Sequence, residues 1–165
     1  GVYGKDKLDL KRARKVLDRH HAGMDDIKAL AIESIRAGEP VWFSCDVKKQ
    51  FDKDLGIWDA KLHDYEALYG IDMDISKAER LRLRESGGTH AMTFVGVDLV
   101  DDVPVRWRVE NSWGDEVGRK GFFTMNDSWF DEYVYEVIVP RSRVSDDIAK
   151  ACDQEPIVLP EWDMI

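Results

Sequence analysis

Thr89-His90-Ala91-Met92-Thr93-Phe94, with Glu110-Asn111-Ser112-Trp113-Gly114 following it, is the stretch whose reading decides the fold. Thr89–Leu99 and Val103–Val109 are both rich in apolar and β-branched residues, and Asp101-Asp102 between them are turn formers. The pattern predicts a β-hairpin. Folding back about Val100–Asp101 places His90 opposite Asn111, Met92 opposite Val109, Phe94 opposite Trp107 and Gly96 opposite Val105. Side chains on one face of a strand recur every second residue, so these eight share a face. Opposed Cβ atoms lie about 4.5–5.5 Å apart, within reach of an amide oxygen and an imidazole N–H. The other face carries Arg106, Arg108 and Glu110 and reads as solvated.

A histidine facing an asparagine carries chemistry. An imidazole, with an ordinary pKa of ~6.5, takes a thiol proton at neutral pH. An amide oxygen holding one ring N–H fixes the tautomer and aims the other nitrogen at the sulfur. The resulting thiolate is strongly nucleophilic. The bland alternative is a core histidine satisfied by a nearby amide. Two neighbours favour the chemical reading: Gly87-Gly88 permits close backbone approach before the strand, and Trp113 would shield the His90–Asn111 bond from water.

Neither cysteine fits as the nucleophile. Cys45 ends the apolar run Val41-Trp42-Phe43-Ser44, which predicts a core position, and the charge of Asp46 opposes thiolate formation. Cys152 lies in a polar, helix-like stretch from Asp146 to Gln154 and reads as a surface thiol.

Six blocks carry a resemblance: Val41–Val47, Lys77–Leu81, Thr89–Phe94, Trp107–Gly114, Trp129–Val137 and Glu155–Pro160. In this order they resemble the C-terminal half of the bleomycin hydrolase and bacterial aminopeptidase C group of papain-like cysteine peptidases. The fold class this implies is α+β, the mostly antiparallel sheet lobe of a papain-like fold with packed helices, without the helical lobe that bears the nucleophile. The resemblance implies His90 as catalytic base and acid, Asn111 as its orienting partner and Trp113 as the shield. It also implies an oxyanion-hole Gln and a nucleophilic Cys from an N-terminal half outside this chain. The chain's terminal carboxylate, here on Ile165, would anchor the substrate's α-amino group and limit cleavage to N-terminal residues. This tail ends Trp162-Asp163-Met164-Ile165, whereas the family continues Trp-Asp with Pro-Met-Gly. Implied partners are peptide substrates, the Cys-bearing half, and further copies in a hexamer. No cofactor or metal is expected.

Three readings follow from different classes. The first is part of a cysteine aminopeptidase, inactive until joined to its Cys-bearing half. The second is a non-catalytic papain-like module that binds peptide. The third is an unrelated hydrolase pairing Cys45 with His90.

Composition bounds these readings. The 165 residues suffice for a domain with a sizeable core, and 44% hydrophobic with 35% charged residues is ordinary for a globular protein. Two separated cysteines, no long apolar run and no signal-peptide pattern predict a reducing cytoplasm and no membrane span. A net charge of −9 opposes nucleic-acid binding. His20, His21 and His63 lack metal-ligand spacing.

Three segments are expected: a basic stretch over 1–24, the sheet lobe over 25–154 and an extended tail over 155–165. Met24–Arg36 reads as an amphipathic helix, capped by Asp25 or Asp26. Its buried stripe is Ile27, Leu30, Ala31, Ser34 and Ile35, and Gly38 stops it. Pro40–Val47 reads as a strand, and Ser76 with Glu79 as a capping box over Lys77–Arg84. Gly121–Met125 and Val134–Val139 read as strands flanking a helical turn near Asp127–Tyr133. Without the second lobe, the face of His90, Phe94 and Trp107 is expected to expose apolar area and drive association.

Overall fold

The computed structural model describes residues 23–153. The basic stretch with His20 and His21, the tail with Ile165, and the side chain of Cys152 lie outside the described residues. The described residues fall into two compact units, one of Ala31–Ile138 and one of residues 23–30 with 139–153.

Helix α1, Met24–Arg36, carries Asp25 and Asp26 in its first turn, where they complement the helix dipole. Asp26 accepts from the Gly23 N–H at 3.1 Å. Its buried stripe differs from expectation: Ile35 is half-buried, while Lys28 and Ile32 join Ile27, Leu30, Ala31 and Ser34. Gly38 ends it in the left-handed region at φ +80°.

The larger unit is built on a seven-stranded sheet. Its strands are β1 (Val41–Cys45), β2 (Phe51–Asp52), β3 (Ile57–Trp58), β4 (His90–Val100), β5 (Val103–Glu110), β6 (Phe122–Asn126) and β7 (Val134–Ile138). They lie in the order β2-β3-β6-β5-β4-β1-β7. Every pairing is antiparallel except β3 with β6. Short helices α2 (Tyr65–Tyr69) and α3 (Lys77–Arg82) precede β4, and α4 (Asp127–Tyr133) joins β6 to β7. The capping box forms as its spacing predicts, with Ser76 and Glu79 bonded reciprocally, although the helix stops at Arg82. In the smaller unit, a 3₁₀ turn at Arg141–Arg143 and helix α5 (Asp146–Cys152) are tied by the Arg141–Asp153 ion pair at 2.6 Å.

The hairpin forms, with a corrected register. The turn falls at Asp101-Asp102, both in the left-handed region at φ 51° and 63°, one position later than expected. Such a two-residue turn matches the twist of the flanking strands, and Asp tolerates it. Thr93 therefore pairs with Glu110 and Phe94 with Val109 rather than Trp107. A bulge in β4 between Phe94 and Gly96 shifts the pairing by one residue, and a second irregularity between Asp98 and Leu99 restores it. Gly96 consequently faces Arg108, and Val97 faces Trp107. The faces themselves hold: Met92, Phe94, Trp107 and Val109 are buried, while Arg106, Arg108 and Glu110 are exposed.

The apolar exposure expected at Phe94 and Trp107 is not there. Phe94 and Trp107 are fully buried within this chain, Phe94 stacked on Phe43 at 3.7 Å and on Phe130 at 5.3 Å between ring centroids. Trp107 lies 4.7 Å from Phe130. The sheet's own crossover through α4 supplies that cover through Phe130. The three buried indoles among the described residues each donate their N–H: Trp58 to Val47 O, Trp107 to Asp127 Oδ1 and Trp129 to Lys49 O. Exposed apolar side chains gather instead between Tyr65 and Leu83. No helix of the described residues is long and apolar enough to cross a membrane.

Candidate active site

His90 opens β4, and Asn111 follows the last residue of β5, so both stand at the open end of the hairpin. The corrected register sets them diagonally, yet His90 Nε2 lies 2.9 Å from Asn111 Oδ1. The same oxygen accepts from the Ser112 N–H at 2.8 Å. A backbone N–H only donates, so the atom facing both groups is the amide oxygen. An oxygen without a proton requires a protonated partner, which places the ring proton on Nε2 and leaves the lone pair on Nδ1. The main chain at Asn111 is held from the other side by its N–H to Gly121 O, 3.1 Å.

Trp113 lies over the imidazole with ring centroids 5.1 Å apart and planes 26° from parallel. It is held by Phe51 at 5.8 Å and by the edge of Phe123 at 6.0 Å. Those two aromatics could not be found by inspection of the hairpin, because they come from β2 and β6. Asn111 is buried at 9% exposure, and its Nδ2 has no hydrogen-bond partner among the described residues.

Cys45 pairs with His90 across the β1–β4 ladder. Its side chain is fully buried, as expected, and burial pushes its thiol far above the ordinary range, with Asp46 adding to the effect. No hydrogen bond joins the sulfur to the imidazole. Among the described residues, no three His, Cys, Asp or Glu side chains are placed to hold a metal.

Sequence reasoning missed the support beneath His90. Asp46 is buried, Ser86 Oγ donates to its Oδ2 at 2.8 Å, and Thr89 Oγ1 lies 3.4 Å from its Oδ1. A charged residue directly after an apolar strand was the available signal.

Residues 8–165 match the model of the Peptidase C1-like family. Bleomycin hydrolase of Rattus norvegicus is 49% identical over 144 residues, covering 85% of this chain and 32% of that protein. Aminopeptidase C of Lactobacillus delbrueckii subsp. lactis is 43% identical over 143 residues, with the same coverage of 85% and 32%. The crystal structure of PepW from Lactobacillus rhamnosis HN001 is 45% identical with a TM-score of 0.75, covering 77% of this chain and 28% of that one. The chain spans about a third of the length of the curated relatives it matches, and corresponds to their C-terminal part. The sheet is thus that of a papain-like peptidase, α+β as the sequence implied. On this match over most of its length, the chain belongs to the Peptidase C1-like family, the cysteine peptidases that include bleomycin hydrolase and aminopeptidase C.

Proposed function

We propose that this chain supplies the base and its orienting amide to a cysteine aminopeptidase, and that the nucleophilic thiol comes from polypeptide outside these 165 residues. The carrying observation is the 2.9 Å His90–Asn111 contact under Trp113, from which the Nδ1 lone pair of the neutral ring is inferred. His90 Nδ1 takes the thiol proton, and Asn111 holds the imidazolium that forms. The thiolate attacks the carbonyl carbon of the first peptide bond and forms a tetrahedral oxyanion. As the C–N bond breaks, His90 gives its proton to the leaving amine. Water, deprotonated by the same nitrogen, then cleaves the thioester and returns the thiol. Trp113 excludes water from the His90–Asn111 bond, which strengthens it. Ile165 would anchor the substrate amine through its carboxylate. Cytoplasmic location and assembly into a homo-oligomer belong to the same reading.

Cys45, buried and with its thiol pushed up, is as compatible with a second reading, in which no nucleophile acts beside His90. A non-catalytic peptide-binding module would need none.

Turnover of an aminoacyl-coumarin by the 165-residue chain, alone and mixed with a Cys-bearing N-terminal part from a relative, decides between them. The first reading predicts no turnover alone and iodoacetamide-sensitive turnover in the mixture, abolished by His90→Ala. Peptide binding with no turnover in any mixture that assembles would favour the module. Wild-type turnover in His90→Ala would sink the assignment of the base.

A further inference from the structure

His90 is the first residue of its strand, so its direction depends on the turn that delivers it. That turn, residues 86–89, is stitched to the end of β1. Thr89 N–H donates to Cys45 O at 2.9 Å, and Thr89 Oγ1 accepts from Val47 N–H at 3.3 Å. The single Thr89 hydroxyl proton has two acceptors in range, Cys45 O at 3.3 Å and Asp46 Oδ1 at 3.4 Å. Ser86, at the other end of the turn, gives its proton to Asp46 Oδ2. Between them Gly88 passes so close to β1 that a Cβ there would fall 2.4 Å from Ser44 Oγ. The main chain of Asp46 is fixed in turn by its N–H to Tyr133 O, 3.0 Å.

Asp46 is only 5% exposed and has no ion pair among the described residues. A desolvated carboxylate held by hydroxyls is a costly way to stabilise a fold, since an apolar or amide side chain avoids the loss of hydration. Its hydroxyl support runs one step deeper. Ser86 Oγ and Tyr135 OH are 2.5 Å apart, and Ser86's own proton is committed to Asp46, so Tyr135 is the donor. Burial raises the Tyr135 phenol, which keeps the proton it donates.

We propose that Asp46 is a positioning residue for His90: its buried carboxylate grips Ser86 and Thr89, fixing the turn that aims the imidazole at Asn111 and beneath Trp113. The link to catalysis rests on the proposed function. The geometric part does not.

The test is histidine ring NMR on the ¹⁵N-labelled 165-residue chain at a pH where the rings are neutral. His90 is identified by its loss in His90→Gln, and the Trp113 ring-current displacement is calibrated with Trp113→Leu. Wild type is expected to show the Nε2–H tautomer and a displaced ring proton. In Asp46→Asn both tautomers become populated and the displacement falls by half or more, while His63 is unchanged. Ser86→Ala, which removes one of the two bonds to Asp46 together with the Tyr135 contact, moves both readouts the same way by less, and decides the matter if Asp46→Asn does not fold. A folded variant with the wild-type tautomer and displacement overturns the proposal. In enzyme completed with a Cys-bearing part, Asp46→Asn lowers kcat about tenfold with KM unchanged, a modest misplacement of the base. A wild-type kcat overturns the link to catalysis. Wild-type turnover in His90→Ala would instead remove the proposed function and leave the NMR result standing.

Discussion

Replacing Asn111 with Ala separates what this side chain does for the fold from what it does for His90. Its oxygen accepts two hydrogen bonds, from His90 Nε2 at 2.9 Å and Ser112 N–H at 2.8 Å. Each is worth about 0.5–1.5 kcal/mol net, and together they contribute about 1–3 kcal/mol. Ser112 is exposed and His90 half-buried, so water can take over both donors in the variant. Against this loss stands Nδ2, buried without a partner among the described residues, whose removal relieves a penalty of about 1–3 kcal/mol. The two effects nearly cancel. Asn111→Ala is expected to change unfolding stability by less than about 1 kcal/mol, a midpoint shift below about 0.5 M urea for a typical slope of about 2 kcal/mol/M. In the completed enzyme the unheld ring should lose on the order of 10²-fold in kcat. Urea unfolding followed by tryptophan fluorescence, with initial rates on an aminoacyl-coumarin, reads both. A destabilisation beyond about 3 kcal/mol would refute the cancellation and mean that Nδ2 has a partner. Unchanged kcat would refute the orienting role.

Three further outcomes are expected. Phe94→Ala, at a fully buried ring stacked on Phe43 and Phe130, should cost about 3–5 kcal/mol in urea unfolding, and a loss below about 1 kcal/mol would contradict the packing described. In a Cys152→Ser background the native thiol of Cys45, buried and pushed up, should resist a disulfide reagent until the chain is unfolded, whereas labelling at a free-thiol rate would show the site open. The Ser76 hydroxyl and then the Ser76 N–H hold the Glu79 carboxyl below its ordinary value. Its folded pKa thus lies under its unfolded one of ~4.3, so its contribution is complete above that pH and fades as pH falls through the folded value. The stability gap between wild type and Glu79→Ala should therefore shrink between pH 6 and about 3, and an unchanged gap would remove the carboxylate from the cap.

What was legible in the sequence was local. Ser76 and Glu79 satisfy each other three residues apart, and no distant contact is needed to read them. The alternation of Trp107 and Val109 with Arg106 and Arg108 announced which face of β5 is buried. The register was not legible, because two non-glycine residues took up a left-handed turn and two irregularities interrupted the ladder. His90 and Asn111 still meet, since Asn111 has left the strand and its side chain reaches across diagonally. The two-residue strands β2 and β3, and the parallel pairing of β3 with β6, have no periodic signature. Phe51 and Phe123 beside Trp113 are products of that nonlocal pairing, and Asp46 beneath the turn is a product of the pairing of β1 with β4.

The two irregularities in the hairpin cancel: the first displaces one strand past the other by a residue, and the second undoes it. The distal turn and the open end are therefore in phase, as though the middle were regular. Residues added at Asp101-Asp102 lengthen the tip, at the expense of the exposed Arg36–Asp102 ion pair, and leave that phase untouched, whereas deleting Val95 or Val105 alone would turn every side chain beyond it to the opposite face. The tip is thus a place to graft a peptide tag or a fluorescent label, at the far end of the hairpin from His90, with the histidine and asparagine left where they are.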